Sequence, residues 1–122
     1  MMREPDDLRD VPYLYLTTTG RTTGLPREIE IWFVARDKNL YVLAEHFHKA
    51  QWVRNILRTP RVRVRVAGGQ YEAAATVLDP VGDAAEWQAV QACAREKYGW
   101  GDGLPVRITP DAPVERGATT HR

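Results

Sequence analysis

Residues Arg61–Val66 read RVRVRV, a strict alternation of cations and valines. A period of two puts the valines on one face of a strand and the arginines on the other. One face must therefore be buried and the other solvated, the pattern of an antiparallel sheet packed on one side only. Ala67–Gln70 (AGGQ) follows as a tight hairpin turn, and Tyr71–Leu78 returns as its partner. Val11–Thr19 (VPYLYLTTT) is a third β-favouring run, in which Tyr13 and Tyr15 alternate with Leu14 and Leu16.

The rest of the chain completes a small β-rich domain. Gly20–Pro26 (GRTTGLP) breaks the first strand with two glycines and a proline. Arg27–Arg36 resumes in strand period, with Ile29, Ile31, Phe33 and Ala35 facing one way and Glu28, Glu30, Trp32 and Val34 the other. A turn at Arg36–Asn39, with Asn39 as its left-handed residue, leads into the apolar run Leu40–Ala44. In Lys49–Arg58 the period changes: Trp52, Val53, Ile56 and Leu57 repeat at helical spacing until Pro60 stops the helix. Asp83–Glu86 (DAAE) has capping-box spacing before a second helix, whose Trp87, Val90, Ala94 and Tyr98 share one face. Gly99–Gly103 ends it, and Leu104–Thr109 is a closing strand. The order β-β-β-α-β-β-α-β predicts a mainly β (α+β) fold, an antiparallel barrel of about six strands with two helices plugging its ends. We expect residues 1–10 to be an N-terminal extension, 11–110 the barrel domain and 111–122 a flexible tail.

At 122 residues there is room for one core and no second domain. The formal net charge of +1 draws the chain to neither nucleic acid nor membrane, so anion binding must come from a local cluster. A single cysteine, Cys93, excludes an intrachain disulfide and reads as a structural thiol. With no signal-like apolar segment and no run near the ~20 apolar residues of a membrane span, a cytoplasmic protein without membrane span is expected.

That local cluster is Gly20–Arg27. Gly20 and Gly24 let the backbone approach a ligand, Thr22 and Thr23 offer hydroxyls, and Arg21 and Arg27 supply charged forks suited to phosphate. A polar hairpin loop with two solvated arginines is the plainer reading of the same residues. Elsewhere, Arg61, Arg63 and Arg65 share a strand face, but without exposed aromatics among them they read as a solvated face, and nucleic acid is not expected. His46 and His48 have His-x-His spacing, yet no third ligand stands near them, so no metal is expected. Tyr98 and Trp100, at the Gly-rich end of the second helix, are candidates for a substrate pocket.

The run LTTTGRTTGLPREIEIWFV and the later segment YVLAEHFHKAQWVRNILRTPRVRV together resemble the coenzyme F420 (deazaflavin)-dependent nitroreductase family. That family belongs to the FMN-binding, pyridoxamine-phosphate-oxidase-like split-barrel superfamily. The resemblance implies a split β-barrel and an oxidoreductase that passes hydride from a reduced deazaflavin to a small conjugated acceptor such as a quinone, enone or nitroaromatic. It also implies that Arg21, Thr22, Thr23, Gly24 and Arg27 hold the cofactor phosphate. Ala44, His46 and Lys49 would lie along the ring, with Trp52 and Asn55 on the bordering helix. Thr22 stands where many relatives have Lys, and the linker between Ala44 and Trp52 is shorter than in many of them; both leave room for FMN in place of F420. A non-catalytic flavin- or haem-binding protein is the rival reading. A homodimer is expected by analogy with the superfamily.

Overall fold

The computed structural model describes residues 8–114; the N-terminal stretch 1–7 and most of the expected tail, 115–122, lie outside the described residues. Strands β1 (Tyr13–Thr19), β2 (Pro26–Trp32), β3 (Val34–Arg36) and β4 (Asn39–Ala44) come first. A 3₁₀ turn at Phe47–Lys49 and helix α1 (Gln51–Arg58) lead to the hairpin β5 (Arg61–Val66) and β6 (Gly69–Val77). Helix α2 (Ala84–Tyr98) and strand β7 (Leu104–Pro110) complete the order. All strand pairs are antiparallel, in the order β2-β1-β5-β6-β7-β4-β3.

The sheet begins with β2 and ends with β3, and only Phe33 separates these two in sequence. One chain segment thus pairs with β1 at its start and with β4 at its end, so the sheet curls into a barrel that is split where β2 leaves β4. The expected single strand Arg27–Arg36 is therefore two strands. Phe33 and Val34 are both buried, at 1% and 4% exposure, which a continuous alternation forbids. The end of α2 fills the break. The Phe33 N–H donates to the Tyr98 hydroxyl (3.1 Å), which in turn lies 2.5 Å from the Pro12 carbonyl, and Lys97 Nζ donates to the Phe33 carbonyl (2.9 Å). Backbone groups that lost their ladder partners are thereby satisfied.

The alternation of β5 is realised as expected, with Val62, Val64 and Val66 inward and the arginines outward. They join Leu14, Leu16, Phe33, Leu40, Val42, Ile56, Val106 and Ile108 in the main core, to which Leu8 also contributes. Each such side chain contributes about 1.5–3 kcal/mol by leaving water. The three arginines of β5 each find a carboxylate: Arg61 with Asp111 (2.6 Å), Arg63 with Glu72 (2.8 Å) and Arg65 with Glu28 (3.1 Å).

Two local expectations are corrected. The turn between β3 and β4 has Asp37 and Lys38, not Asn39, in the left-handed region (φ 54° and 69°), the geometry of a two-residue hairpin turn. The capping box also does not form: Asp83 makes no side-chain cap bond to its helix and instead accepts from the Asp79 N–H (2.8 Å). Glu86 is drawn away from the helix end, because Arg107 on β7 (2.8 Å) and the Tyr41 hydroxyl on β4 (2.6 Å) both donate to its carboxylate.

Lys97 gives the fold a pH signature. Burial pushes its ammonium down from the usual 10.5 to about 8, against the opposing pull of Asp10. Between those values the unfolded chain holds a proton that the folded chain has released, so stability rises with pH. Tyr41, pushed up to about 12 mainly by burial, reverses the trend only above the ordinary tyrosine value of 10. Urea unfolding midpoints should therefore increase from pH 7.5 to pH 9.5 in the native chain and stay flatter in Lys97→Met. Equal pH dependence in both would contradict this account of Lys97.

Candidate functional site

Inward parity along β1 places Leu14, Leu16 and then Thr18 on the core side. Thr18 sits at the barrel mouth, 1% exposed, and a buried hydroxyl there needs a partner. Asn55 on α1, 5% exposed, supplies it: its Nδ2 donates to Thr18 Oγ1 (3.1 Å). Its Oδ1 accepts from both the Arg21 backbone N–H (3.1 Å) and Arg21 Nη1 (2.9 Å). Arg21 Nη2 also donates to Gln51 Oε1 (2.6 Å). The two sequence blocks that carried the family resemblance thus meet through Thr18, Arg21 and Asn55.

The loop is held on itself as well. Gly20 N–H donates to the Leu25 carbonyl (2.8 Å), and Gly24, left-handed at φ 75°, donates to the Gly20 carbonyl (2.7 Å). A Cβ on Gly20 would lie 2.9 Å from Thr23 Oγ1, 3.2 Å from the Leu25 carbonyl and 3.4 Å from Arg27 Nε. Glycine is therefore what lets the loop fold back so closely on Thr23 and Leu25. The result is a cleft of about 410 Å³ lined by Thr18, Gly20, Arg21, Thr22, Thr23, Arg27, Ile29, Gln51, Trp52 and Asn55. Arg27 is exposed, and its side chain enters no hydrogen bond or ion pair among the described residues.

A second cleft, about 770 Å³, opens along the split between β2 and the end of β4. Its lining is Tyr13, Ile29, Glu30, Ile31, Trp32, Leu43, Glu45, His46, Ala50, Trp52 and Trp100. Ile29 and Trp52 line both clefts, so the two adjoin. One end is basic and rich in hydroxyls; the other is flat-walled and aromatic, with two carboxylates and an imidazole.

Of the residues singled out from sequence, Arg21, Thr22, Thr23, Arg27, Trp52 and Asn55 surround the smaller cleft, and His46, Trp52 and Trp100 the larger. Gly24 shapes the loop from its turn. Ala44 and Lys49 line neither cleft: Ala44 is 1% exposed and packs with Val53 and Leu104, while Lys49 stands exposed on the 3₁₀ turn. Tyr98 backs the site instead of lining it, its ring stacked on Trp32 at 4.4 Å and 3°. Burial raises the Tyr98 hydroxyl above its ordinary value despite the bond to Phe33. His46 and His48 gather no third ligand; among the described residues no three His, Cys, Asp or Glu side chains are placed to hold a metal.

Sequence reading missed Thr18, Gln51 and most of the larger cleft. Thr18 carried a signal, a polar residue on the inward parity of β1. Gln51 carried another, since it stands four residues before Asn55 and so shares its helix face. Tyr13, Trp32 and Leu43 gave none, because their meeting depends on the break at Phe33.

The family model described as F420H(2)-dependent quinone reductase matches residues 3–110. A comparison with curated proteins finds no match. Among solved structures, the heme storage protein HutZ from Vibrio cholerae is similar at 21% identity, with 92% of each chain covered and a TM-score of 0.70. A putative pyridoxamine 5'-phosphate oxidase from Listeria innocua has 14% identity, covers 88% of this chain and 94% of its own, and has a TM-score of 0.68. An F420-H2-dependent reductase has 21% identity, covers 80% of this chain and 92% of its own, and has a TM-score of 0.61. At these identities the likeness establishes the shared split-barrel fold.

Proposed function

The chain belongs to the F420H(2)-dependent quinone reductase family, and from that premise we propose how its two clefts divide the work. It is an F420-dependent oxidoreductase that acts on a small-molecule acceptor. Arg21, Thr22, Thr23 and Arg27 would hold the cofactor phosphate in the smaller cleft, and the larger cleft beyond Trp52 would take the ring. The donor set fits such a group: a free guanidinium, two hydroxyls and a glycine cradle that a Cβ would fill. That the two clefts adjoin at Ile29 and Trp52 is the observation that carries this reading.

When bound, the reduced deazaflavin supplies hydride; the protein binds, orients and shields. Arg27 and the loop hydroxyls fix the anionic end. Trp52 turns the path from one cleft into the other. Trp32, held flat by Tyr98, and Trp100 wall the acceptor space and exclude water from it. His46 is the imidazole of that space and faces the acceptor along with Glu30 and Glu45. Gly24 keeps the loop closed, while Ala44 supports the ring end from behind α1 through Val53, and Lys49 stands exposed on the 3₁₀ turn beside it.

Acceptors in this reading are flat and conjugated, nitroaromatics and enones as well as quinones, because the walls are aromatic. We further propose a homodimer in the cytoplasm, with residues 11–110 as the barrel domain. The exposure of Tyr13 (38%) and Trp32 (49%) at the rim of the larger cleft supports a second copy there. The lone Cys93 and the lack, among the described residues, of any helix long and apolar enough to cross a membrane are compatible with that compartment.

The test is turnover: purified protein, reduced F420 and a water-soluble quinone, followed by the return of oxidised-cofactor absorbance. Enzyme-dependent oxidation that saturates in quinone is expected. Binding of cofactor without any acceptor consumption would favour the carrier reading suggested by the haem-storage likeness.

A further inference from the structure

We infer that Arg21 and Asn55 are positioning residues that clasp the loop to helix α1, leaving Arg27 as the cation that meets the phosphate. This deepens the reading above and rests on the loop being the phosphate end of the site. A side-chain amide has two acceptor lone pairs and two N–H donors. Both Oδ1 lone pairs of Asn55 are taken by Arg21, one by its backbone N–H (3.1 Å) and one by Nη1 (2.9 Å). Nδ2 is given to Thr18 Oγ1 (3.1 Å), and the residue is 5% exposed. Asn55 therefore spends its whole carbonyl oxygen and one of its two N–H donors inside the protein, although it lines the cleft.

Three of the five guanidinium N–H donors of Arg21 are turned to α1. Its Nη2 donates to Gln51 Oε1 (2.6 Å), and Nη1 also reaches the Gln51 carbonyl (3.4 Å), so the guanidinium lies against the first turn of α1. Arg27 contrasts with it: exposed, unpartnered among the described residues, and folded over Gly20 into the same cleft. The loop arginine before the two threonines thus fixes geometry, and the one after the proline supplies charge.

The experiment compares Asn55→Ala and Asn55→Asp in the full chain. The readouts are F420 binding at low and high salt and amide exchange of Arg21 and Gly24 without ligand. Asn55→Ala should raise the F420 dissociation constant roughly tenfold. The loss should be the same at both salt concentrations, because no charge is removed. The two loop amides should exchange faster. Asp can accept from both Arg21 donors and from the Thr18 hydroxyl, so Asn55→Asp should restore slow exchange and most of the affinity, even though it neutralises Arg21.

Asn55→Asp binding as weakly as Asn55→Ala with slow exchange restored would overturn the inference, since the ligand would then be reading the charge of Arg21. Native affinity in Asn55→Ala would overturn it as well. Should Asn55→Ala not fold, Gln51→Ala, which removes only the Nη2 bond of Arg21 and leaves its Nη1 bonds in place, gives a milder form of the same comparison: weaker binding without a change in salt dependence supports the clasp, and unchanged binding contradicts it. Failure of the native chain to bind F420 would instead count against the proposed function, and the exchange measurements would still decide the clasp.

Discussion

Replacing Arg27 with Gln weakens F420 binding by roughly 10- to 150-fold, the loss of about 1.5–3 kcal/mol for a charge-assisted hydrogen bond. The expectation follows from how the charges of the smaller cleft are used. Arg21 has its guanidinium occupied by Asn55 and Gln51. Arg27, by contrast, has no competing carboxylate to be pulled from, so its attraction for an anion is not offset by a broken ion pair. The defect should shrink as salt rises, since the interaction lies at the surface and is screened. Arg27 lies on the outer part of a strand that is exposed at that point, so the variant should unfold at the native urea midpoint. A titration showing native affinity in Arg27→Gln would remove the phosphate end of the site from the loop.

The second large effect is on stability. Glu86→Ala should cost about 2–4 kcal/mol, because it strands two donors that share one carboxylate. Tyr41, 1% exposed, donates its hydroxyl to Glu86 at 2.6 Å. Arg107 reaches both Glu86 oxygens, at 2.8 and 2.9 Å. These bonds fasten α2 to β4 and β7, and α2 in turn carries Lys97 and Tyr98 to the break at Phe33. Urea or thermal unfolding reads the loss directly, a fall in Tm of roughly 10 °C or more. Glu86→Gln, which keeps an acceptor oxygen, should lose less. Burial raises the Glu86 carboxyl, but the bonds from Tyr41 and Arg107 outweigh it and the net shift is below the ordinary 4.5. Its contribution is therefore complete above that value and disappears as pH falls through the lower folded value. Native stability in Glu86→Ala would show that the helix is held by its apolar face alone.

The parts of this molecule that could be read from sequence are those governed by local periodicity. The RVRVRV alternation and the stop at Pro60 follow from nearest neighbours, and the structure places them as expected; the hairpin turn expected at Ala67–Gln70 is tighter, with Ala67 and Gly68 left-handed and Gly69 and Gln70 already in β6. The break at Phe33 did not follow, because it depends on Lys97 and Tyr98, more than sixty residues further on, taking over the backbone of that residue. Glu86 was misassigned for a related reason: a capping box is a local rule, and a partly buried arginine with a tyrosine hydroxyl overrode it. At the candidate site, residue types announced the chemistry of Arg21, Thr22, Thr23, Arg27 and Trp52. Which arginine is free and which is held was invisible, since that is decided by Asn55 and Gln51 across a contact distant in sequence.

The most direct test of the central claim is a fluorescence titration of the purified apo-protein with F420 and, separately, with FMN. The account predicts saturable binding of F420 that is tighter than that of FMN and is weakened in Arg27→Gln. Tight binding of FMN without F420, or binding of neither, would contradict it and return the Gly20–Arg27 loop to an ordinary hairpin connection.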